Sequence, residues 1–332
     1  MTTTQRYTWD GLPVAQDEPH GATIVVRRPV AGSAGQHEYL LLHRAHYGPG
    51  YASDWAWTPP AGSRQPGEQV LPAALRELAE ETGLLAEPAD LMVADLSGVW
   101  VSFALDVPPG TAAHVDAEHD RLEWVSLAEA VSRCRPDVVR ENIRRAAALL
   151  RPAIAFRPLA HSDLPDMVRW QRAPHATRWF PENLDLAAAQ RKYGPRLSGT
   201  SPVAMHVMLA DGRPCGFLQH YRVDADPAYA RAVAEYAQPA GGEVAIGIDY
   251  AIGEEVLTGR GLGPQLIWKY VREVVLTSHP AARYVVASPD AGNERSVRAL
   301  RKAGFRRVRE IPGREGGRPQ VLCVLDRRHF LG

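Results

Sequence analysis

The stretch AGSRQPGEQVLPAALRELAEETGLL, Ala61 to Leu85, constrains this chain more than any other. Glu77, Glu80 and Glu81 crowd a short segment that contains no lysine. Pro72 suits a first helical turn and Gly83 a C-terminal cap, so the spacing predicts a helix between them. At about 100° per residue the three carboxylates fall within an arc of roughly 100°. Leu71, Leu75, Leu78 and Thr82 fall on the opposite side. The predicted helix has an apolar back and an acidic front. Like charges at i,i+4, here Glu77 and Glu81, are destabilising by a few tenths of a kcal/mol, and Arg76 offsets only part of that. A solvated acidic face is the plain reading. A cation-holding face is the other.

The surroundings favour the second. Gly62 opens the stretch, Glu68 follows after five residues, and seven more lead to Arg76-Glu77-Leu78-Ala79-Glu80-Glu81-Thr82-Gly83-Leu84. This pattern, G-x5-E-x7-R-E-U-x-E-E-x-G-U with U a bulky apolar residue, resembles the Nudix box without departure. The resemblance implies that Glu77, Glu80 and Glu81 hold Mg²⁺ or Mn²⁺, hard ions suited to oxygen ligands. Such ions neutralise a diphosphate and activate a water, and Nudix enzymes typically cleave nucleoside diphosphates linked to another group. Glu80 is carried over as a catalytic residue as well. The flanks agree. ATIVV and EYLLLHR are predicted strands of a hairpin, and WAWTPPAG resembles the family's strand and turn before the box. EHDRLEWVSLAEA resembles its late segment, where a glutamate often reaches the metal site. That role maps to Glu118, with an exposed loop acid as the alternative. His43, His46 and His119 are expected to be surface or core residues rather than ligands.

At 332 residues the chain suits two domains, each with its own core. Its 45% hydrophobic and 23% charged composition is that of a soluble globular protein. Basic and acidic residues number 38 each, so net charge gives no argument for nucleic acid. Cys134, Cys215 and Cys323 are scattered and without C-x-x-C spacing, which suggests a reducing compartment. The N-terminal MTTTQRYTWDGLPV lacks an apolar signal core, and no run approaches ~20 apolar residues. A cytoplasmic protein without a membrane partner is expected. A helix in RPDVVRENIRRAAALL should close the first domain, 1–151, and RPAIAFRPL opens the second, 152–332.

The second half carries another signal. Val244, Ile246 and Ile248 alternate as in a strand, and Leu266, Ile267, Tyr270, Val271, Val274 and Val275 keep helical spacing. Gly259-Arg260-Gly261-Leu262-Gly263 lies between them. Glycines there let backbone N–H groups crowd an anion, aided by the helix dipole. GID before IGE before GRGLG resembles the acetyl-CoA loop of GNAT acetyltransferases, specifically the aminoglycoside 6'-N-acetyltransferase branch. FRPLAHSDLPDMVRWQRAPHATRWF, PCGFLQHYRVD and NERSVRALRKAGFRRV resemble further segments of that branch. The resemblance implies that residues 259–263 and Asn293 bind acetyl-CoA. It also implies that Asp249 binds the substrate amine as base, against a strand-end capping role. Asp224 and Asp226 either add negative charge near the acceptor or make the turn before Pro227. Two positions depart from the branch. Leu300 stands where some members have a tyrosine, a candidate acid, and Ser288-Pro289 replaces Asp-Pro. Tyr250 is then one alternative acid.

The expected fold class is α/β (α+β), a Nudix α/β/α sandwich followed by a GNAT domain. The expected function is acetyl-CoA-dependent N-acetylation of an aminoglycoside-type amine, conferring resistance, joined to Mg²⁺-dependent hydrolysis of a nucleoside diphosphate derivative. The alternative is a GNAT acting on a siderophore precursor or polyamine, with the first domain as a nucleotide sensor.

Overall fold

In the computed structural model, residues 5–8, 11–33, 35–180, 182, 184–313 and 317–330 are described. The chain divides into two compact units, the second running from Leu150 to Arg327.

The first unit is built on a seven-stranded mixed sheet. Its strands are β1 (Gly21–Pro29), β2 (His37–Arg44), β3 (Trp57–Thr58), β4 (Ala61–Ser63), β5 (Met92–Asp95), β6 (Trp100–Asp106) and β7 (His119–Ser126). The predicted hairpin forms: β1 and β2 pair antiparallel. β1 also pairs parallel with β6 along its length and antiparallel with β4 near its start. The helices are α1 (Val70–Thr82), α2 (Leu127–Arg133) and α3 (Asp137–Ala148). Gly83 ends α1 in the left-handed region, φ +68°, its N–H bonding back to Ala79 O. A side chain at Gly83 would also collide with the His114 imidazole. Val25, Leu41, Val125 and Ile143 join one core between sheet and helices.

One expectation needs correction. Leu71, Leu78 and Thr82 are buried as expected, but so is Glu81, which leaves only 5% of its surface in solvent. The three carboxylates do not share one solvated front. Glu81 turns toward the sheet and accepts the Ala61 N–H at 2.8 Å.

The second unit holds another seven-stranded sheet, ordered β13-β14-β12-β11-β10-β9-β8. Its strands are β8 (Ile154–Pro158), β9 (Ala204–Ala210), β10 (Arg213–Arg222), β11 (Val244–Ile252), β12 (Ala282–Ala287), β13 (Arg306–Ile311) and β14 (Gln320–Asp326). Its helices include α4 (Leu164–Arg172), α5 (Leu186–Leu197), α6 (Pro227–Val233), α7 (Leu262–Tyr270), α8 (Leu276–Ser278) and α9 (Glu294–Lys302). A π-helical turn, Val271–Val275, joins α7 to α8. All pairings are antiparallel except β11 with β12. That parallel pairing covers only Val244–Gly247 of β11. From Ile248 to Ile252 the strand stays bonded to β10 alone. The sheet therefore splays at Asp249–Tyr250, and backbone and side chains there open into a cleft.

Candidate active sites

The acidic helix of the first unit lines a pocket together with the β4 turn and the start of β7. Its walls include Arg44, Gly62, Arg76, Glu77, Glu80, Glu81, Glu118 and His119. Glu118, predicted from the late segment, is thus brought beside the box. The opening glycine has a physical reason. A Cβ on Gly62 would lie 1.8 Å from Glu77 Cδ, so only glycine leaves room for that carboxylate.

Arg76 stands in the middle of the acids. Its guanidinium donates to Glu68 Oε1 at 2.9 Å, Glu77 Oε1 at 2.9 Å and Glu80 Oε2 at 2.9 Å. Burial drives the Glu77 pKa up to about 7, Arg76 opposes the rise, and Glu80 and Glu118 add to it. Burial also raises Glu81 well above the ordinary carboxylate range, against the pull of the Ala61 N–H and with help from Glu77 and Asp116. Burial acts on Glu68 in the same direction, but its bonds to Arg76 and Gln65 N–H outweigh it and hold Glu68 low. The box thus gathers more negative charge than one guanidinium neutralises.

The donor chemistry fits a hard divalent ion, since carboxylate oxygens dominate. Among the described residues, however, no three His, Cys, Asp or Glu side chains are already arranged to hold one. Arg76 engages Glu77 and Glu80. His43 is a core residue, bonded to Asp120 at 2.6 Å and to Tyr51 O at 2.7 Å. His119 is buried, with Nδ1 2.9 Å from Asp116 and Nε2 3.8 Å from Glu81. His46 is exposed and lines the pocket. The sequence reading missed Arg44, the last residue of β2. Its Nε is buried without a hydrogen-bond partner among the described residues.

Two pockets meet in the cleft of the second unit. The first is lined by Gly259, Gly261, Gly263, Pro264, Asn293, Arg295, Arg298 and Lys302, with Thr258 and Ile252. Gly259 and Gly261 adopt φ of +74° and +77°, so the glycines are needed for backbone reasons. Gly261 is the N-cap of α7, so Leu262 and Gly263 already belong to its first turn. Leu262 is fully buried, and neither its side chain nor Arg260 lines the pocket. Asn293 caps α9, accepting Ser296 N–H at 3.1 Å. Arg295, Arg298 and Lys302 lay in the quoted α9 motif, but their joint exposure to the pocket needed the helix geometry.

The second pocket is lined by Asp249, Gln219, Lys192, Arg196, Ser288 and Arg318, among others. Trp179, Phe180, Tyr250, Asn293 and Ser296 line both pockets. Asp249 therefore stands beside the point where the two join. It is no strand-end cap, because it sits inside β11 opposite Gln219. Its carboxylate accepts Gln219 Nε2 at 2.7 Å. Tyr250 bonds Ser296 Oγ at 2.7 Å, and burial raises its pKa despite that bond, so it stays protonated. Leu300 is a core residue without access to either pocket. Asp226 caps α6 and Asp224 pairs with Arg222, so both serve the turn.

Comparison with known proteins matches two stretches of the chain to two families. Residues 21–148 match the NUDIX domain, and residues 160–312 match the acetyltransferase (GNAT) domain. A relative of the second unit is an aminoglycoside N(6')-acetyltransferase type 1 of Klebsiella pneumoniae, 25% identical over 191 residues, covering 54% of this chain and 85% of that one. For the first unit there is the 8-oxo-dGDP phosphatase NUDT18 of Mus musculus, 38% identical over 74 residues, covering 20% of this chain and 23% of that protein. Among solved structures, aminoglycoside acetyltransferase AAC(6')-Ib in complex with coenzyme A and kanamycin is 25% identical, with a TM-score of 0.46, covering 53% of this chain and 96% of that one. The chain therefore joins a NUDIX domain, residues 21–148, to a GNAT acetyltransferase domain, residues 160–312.

Proposed function

We propose that the second unit transfers the acetyl group of acetyl-CoA to an amine held at Asp249. The observation that carries this reading is the junction of the two pockets at Tyr250, Asn293 and Ser296, with Asp249 one residue away. Acetyl-CoA occupies the pocket of Gly259, Gly261 and Gly263. Its phosphates meet the backbone N–H groups at the start of α7 and the cations Arg295, Arg298 and Lys302. The Asp249 carboxylate attracts the acceptor ammonium and takes its proton. The amine nitrogen then bonds to the acetyl carbon, gives up its remaining surplus proton to solvent, the carbon–sulfur bond breaks, and the thiolate leaves. Tyr250, kept protonated by burial and lining both pockets, returns a proton to sulfur.

An aminoglycoside acceptor, with a resistance role, is the finer form of this reading, and the relatives' names make it the first to try. A second reading, transfer to another kind of amine, is favoured by Arg196, a cation in the acceptor pocket. A thiol-release assay with acetyl-CoA against aminoglycosides and polyamines tests acetyl transfer.

For the first unit, we propose hydrolysis of a nucleoside diphosphate derivative. Glu77, Glu80 and Glu81 would hold Mg²⁺ or Mn²⁺, which when bound supplies charge neutralisation and an activated water. Glu118 adds a carboxylate to the same wall, and Arg44 offers a donor to the substrate phosphates. The reducing interior of the cell suits the three buried thiols. Phosphate release from a nucleotide panel, with and without Mg²⁺, tests this half.

A further inference from the structure

The acceptor pocket has a charge arrangement that a polycationic substrate would not select. Asp249 has no cationic partner among the described residues. Its bond is to the neutral amide of Gln219. The other end of that amide, Oε1, accepts Arg196 Nη1 at 2.6 Å. Arg196 in turn lies over the Tyr193 ring, 5.3 Å from its centroid, and has no carboxylate partner among the described residues. One unneutralised anion and one unneutralised cation are therefore held one amide apart, and both line the same pocket.

The remaining described charges do not change this. Lys192 pairs with Glu182 at 2.6 Å, and Arg318 pairs with Asp290 at 2.9 Å. Gln219 is fixed in orientation, because Arg196 can only donate and Asp249 accepts, so the oxygen must face Arg196. The two charges are kept from collapsing onto each other.

We propose that the acceptor is an amine that also carries an acidic group, carboxylate or phosphate, with its ammonium on Asp249 and its anion on Arg196. This rests on the reading of the second unit as an amine acetyltransferase. Arg196 is then a specificity-determining residue. A planar guanidinium matches the two oxygens of such an anion, while it repels the extra ammonium groups of an aminoglycoside or polyamine.

The test compares matched amines in the thiol-release assay with the full chain: lysine against cadaverine, O-phosphoethanolamine against ethanolamine, and kanamycin. The acidic member of at least one pair should show about 10-fold or higher kcat/KM than its counterpart without the acid, the size of a charge-assisted bond. Which pair responds tells carboxylate from phosphate. Arg196→Gln should raise KM for the preferred acidic amine by the same factor, raise it for no counterpart that lacks the acid, leave acetyl-CoA affinity unchanged, and be partly rescued by Arg196→Lys. Faster turnover of kanamycin or cadaverine, or an unchanged KM in Arg196→Gln, would overturn the proposal and leave acetyl transfer standing. Acetyl-CoA binding without thiol release to any amine would sink both.

Discussion

The acidic pocket of the first unit and the acceptor pocket of the second solve opposite charge problems. In the first, Glu77, Glu80, Glu81 and Glu118 converge, and Arg76 bonds two of them along with Glu68. Like charge is concentrated, and burial leaves Glu77 near pKa 7. In the second, Asp249 and Arg196 carry opposite charges and a neutral amide keeps them apart. A concentrated site waits for a counter-ion. A spaced site waits for a ligand with two charges of its own. The contrast also separates two kinds of sequence signal, since the first site centres on one contiguous stretch and the second is assembled from segments scattered from Trp179 to Gln320.

The largest effect should come from the first pocket. Glu81→Gln should abolish Mg²⁺-dependent nucleotide hydrolysis and leave acetyl transfer largely intact, measured as phosphate and thiol release from one preparation. Unchanged hydrolysis would make the carboxylate cluster a structural feature only.

The matching change in the second pocket is Asp249→Asn. It keeps the shape and removes the charge, so kcat for the best acceptor should fall by about 10²-fold or more. Acetyl-CoA affinity should stay the same by calorimetric titration. Normal turnover would leave Asp249 a partner of Gln219 and nothing more.

Gly261→Val sharpens the comparison from the donor side. A β-branched residue at φ +77° costs on the order of 1–2 kcal/mol in backbone strain alone. We expect at least a 10-fold weaker acetyl-CoA Kd, read by titration against a circular-dichroism control for folding. An unaltered Kd moves the diphosphate away from this loop.

The last effect is on stability and leaves both activities untouched near neutral pH. His220 is buried in β10, its Nδ1 2.9 Å from Tyr270 Oη, with His206 and His279 packed on its ring. Burial, with smaller contributions from the neighbouring His206 and His279, lowers its pKa from 6.5 to about 4. Between those values the unfolded chain binds the proton that the folded chain refuses. Stability contributed by neutral His220 is therefore complete above about 6.5 and is lost as pH falls toward about 4, at most on the order of 3 kcal/mol. Hydrogen exchange of the β10 amides between pH 4 and 7 should show this slope, and His220→Gln should flatten it. A slope of the same size in the variant assigns it to other groups.

The first unit was the more legible because its signal is local. Gly62, Glu68 and Arg76 to Leu84 lie within one turn-and-helix unit, so fixed spacing already encodes who can meet whom. What the spacing hid was burial. Glu81 looked like part of a solvated front, and only packing against β4 turned it toward the Ala61 N–H. In the second unit the glycine loop was visible, since φ above zero leaves few residues to choose from. Asp249 was found by resemblance, but nothing near it in sequence pointed to Arg196, which comes from α5 some fifty residues earlier. Gln219 looked like any polar residue of a hairpin until the β10–β11 register set it opposite Asp249.

By itself the sequence determined the elements and the chemistry that sit at fixed spacing: the capped acidic helix, the β1–β2 hairpin and the glycine turn before α7. Those follow from backbone sterics and short-range periodicity, which act within a few residues. Tertiary structure decided which charges are neutralised and which are left to a ligand. Electrostatics depends on distance and burial in space, and those are set by strands and helices far apart in the chain.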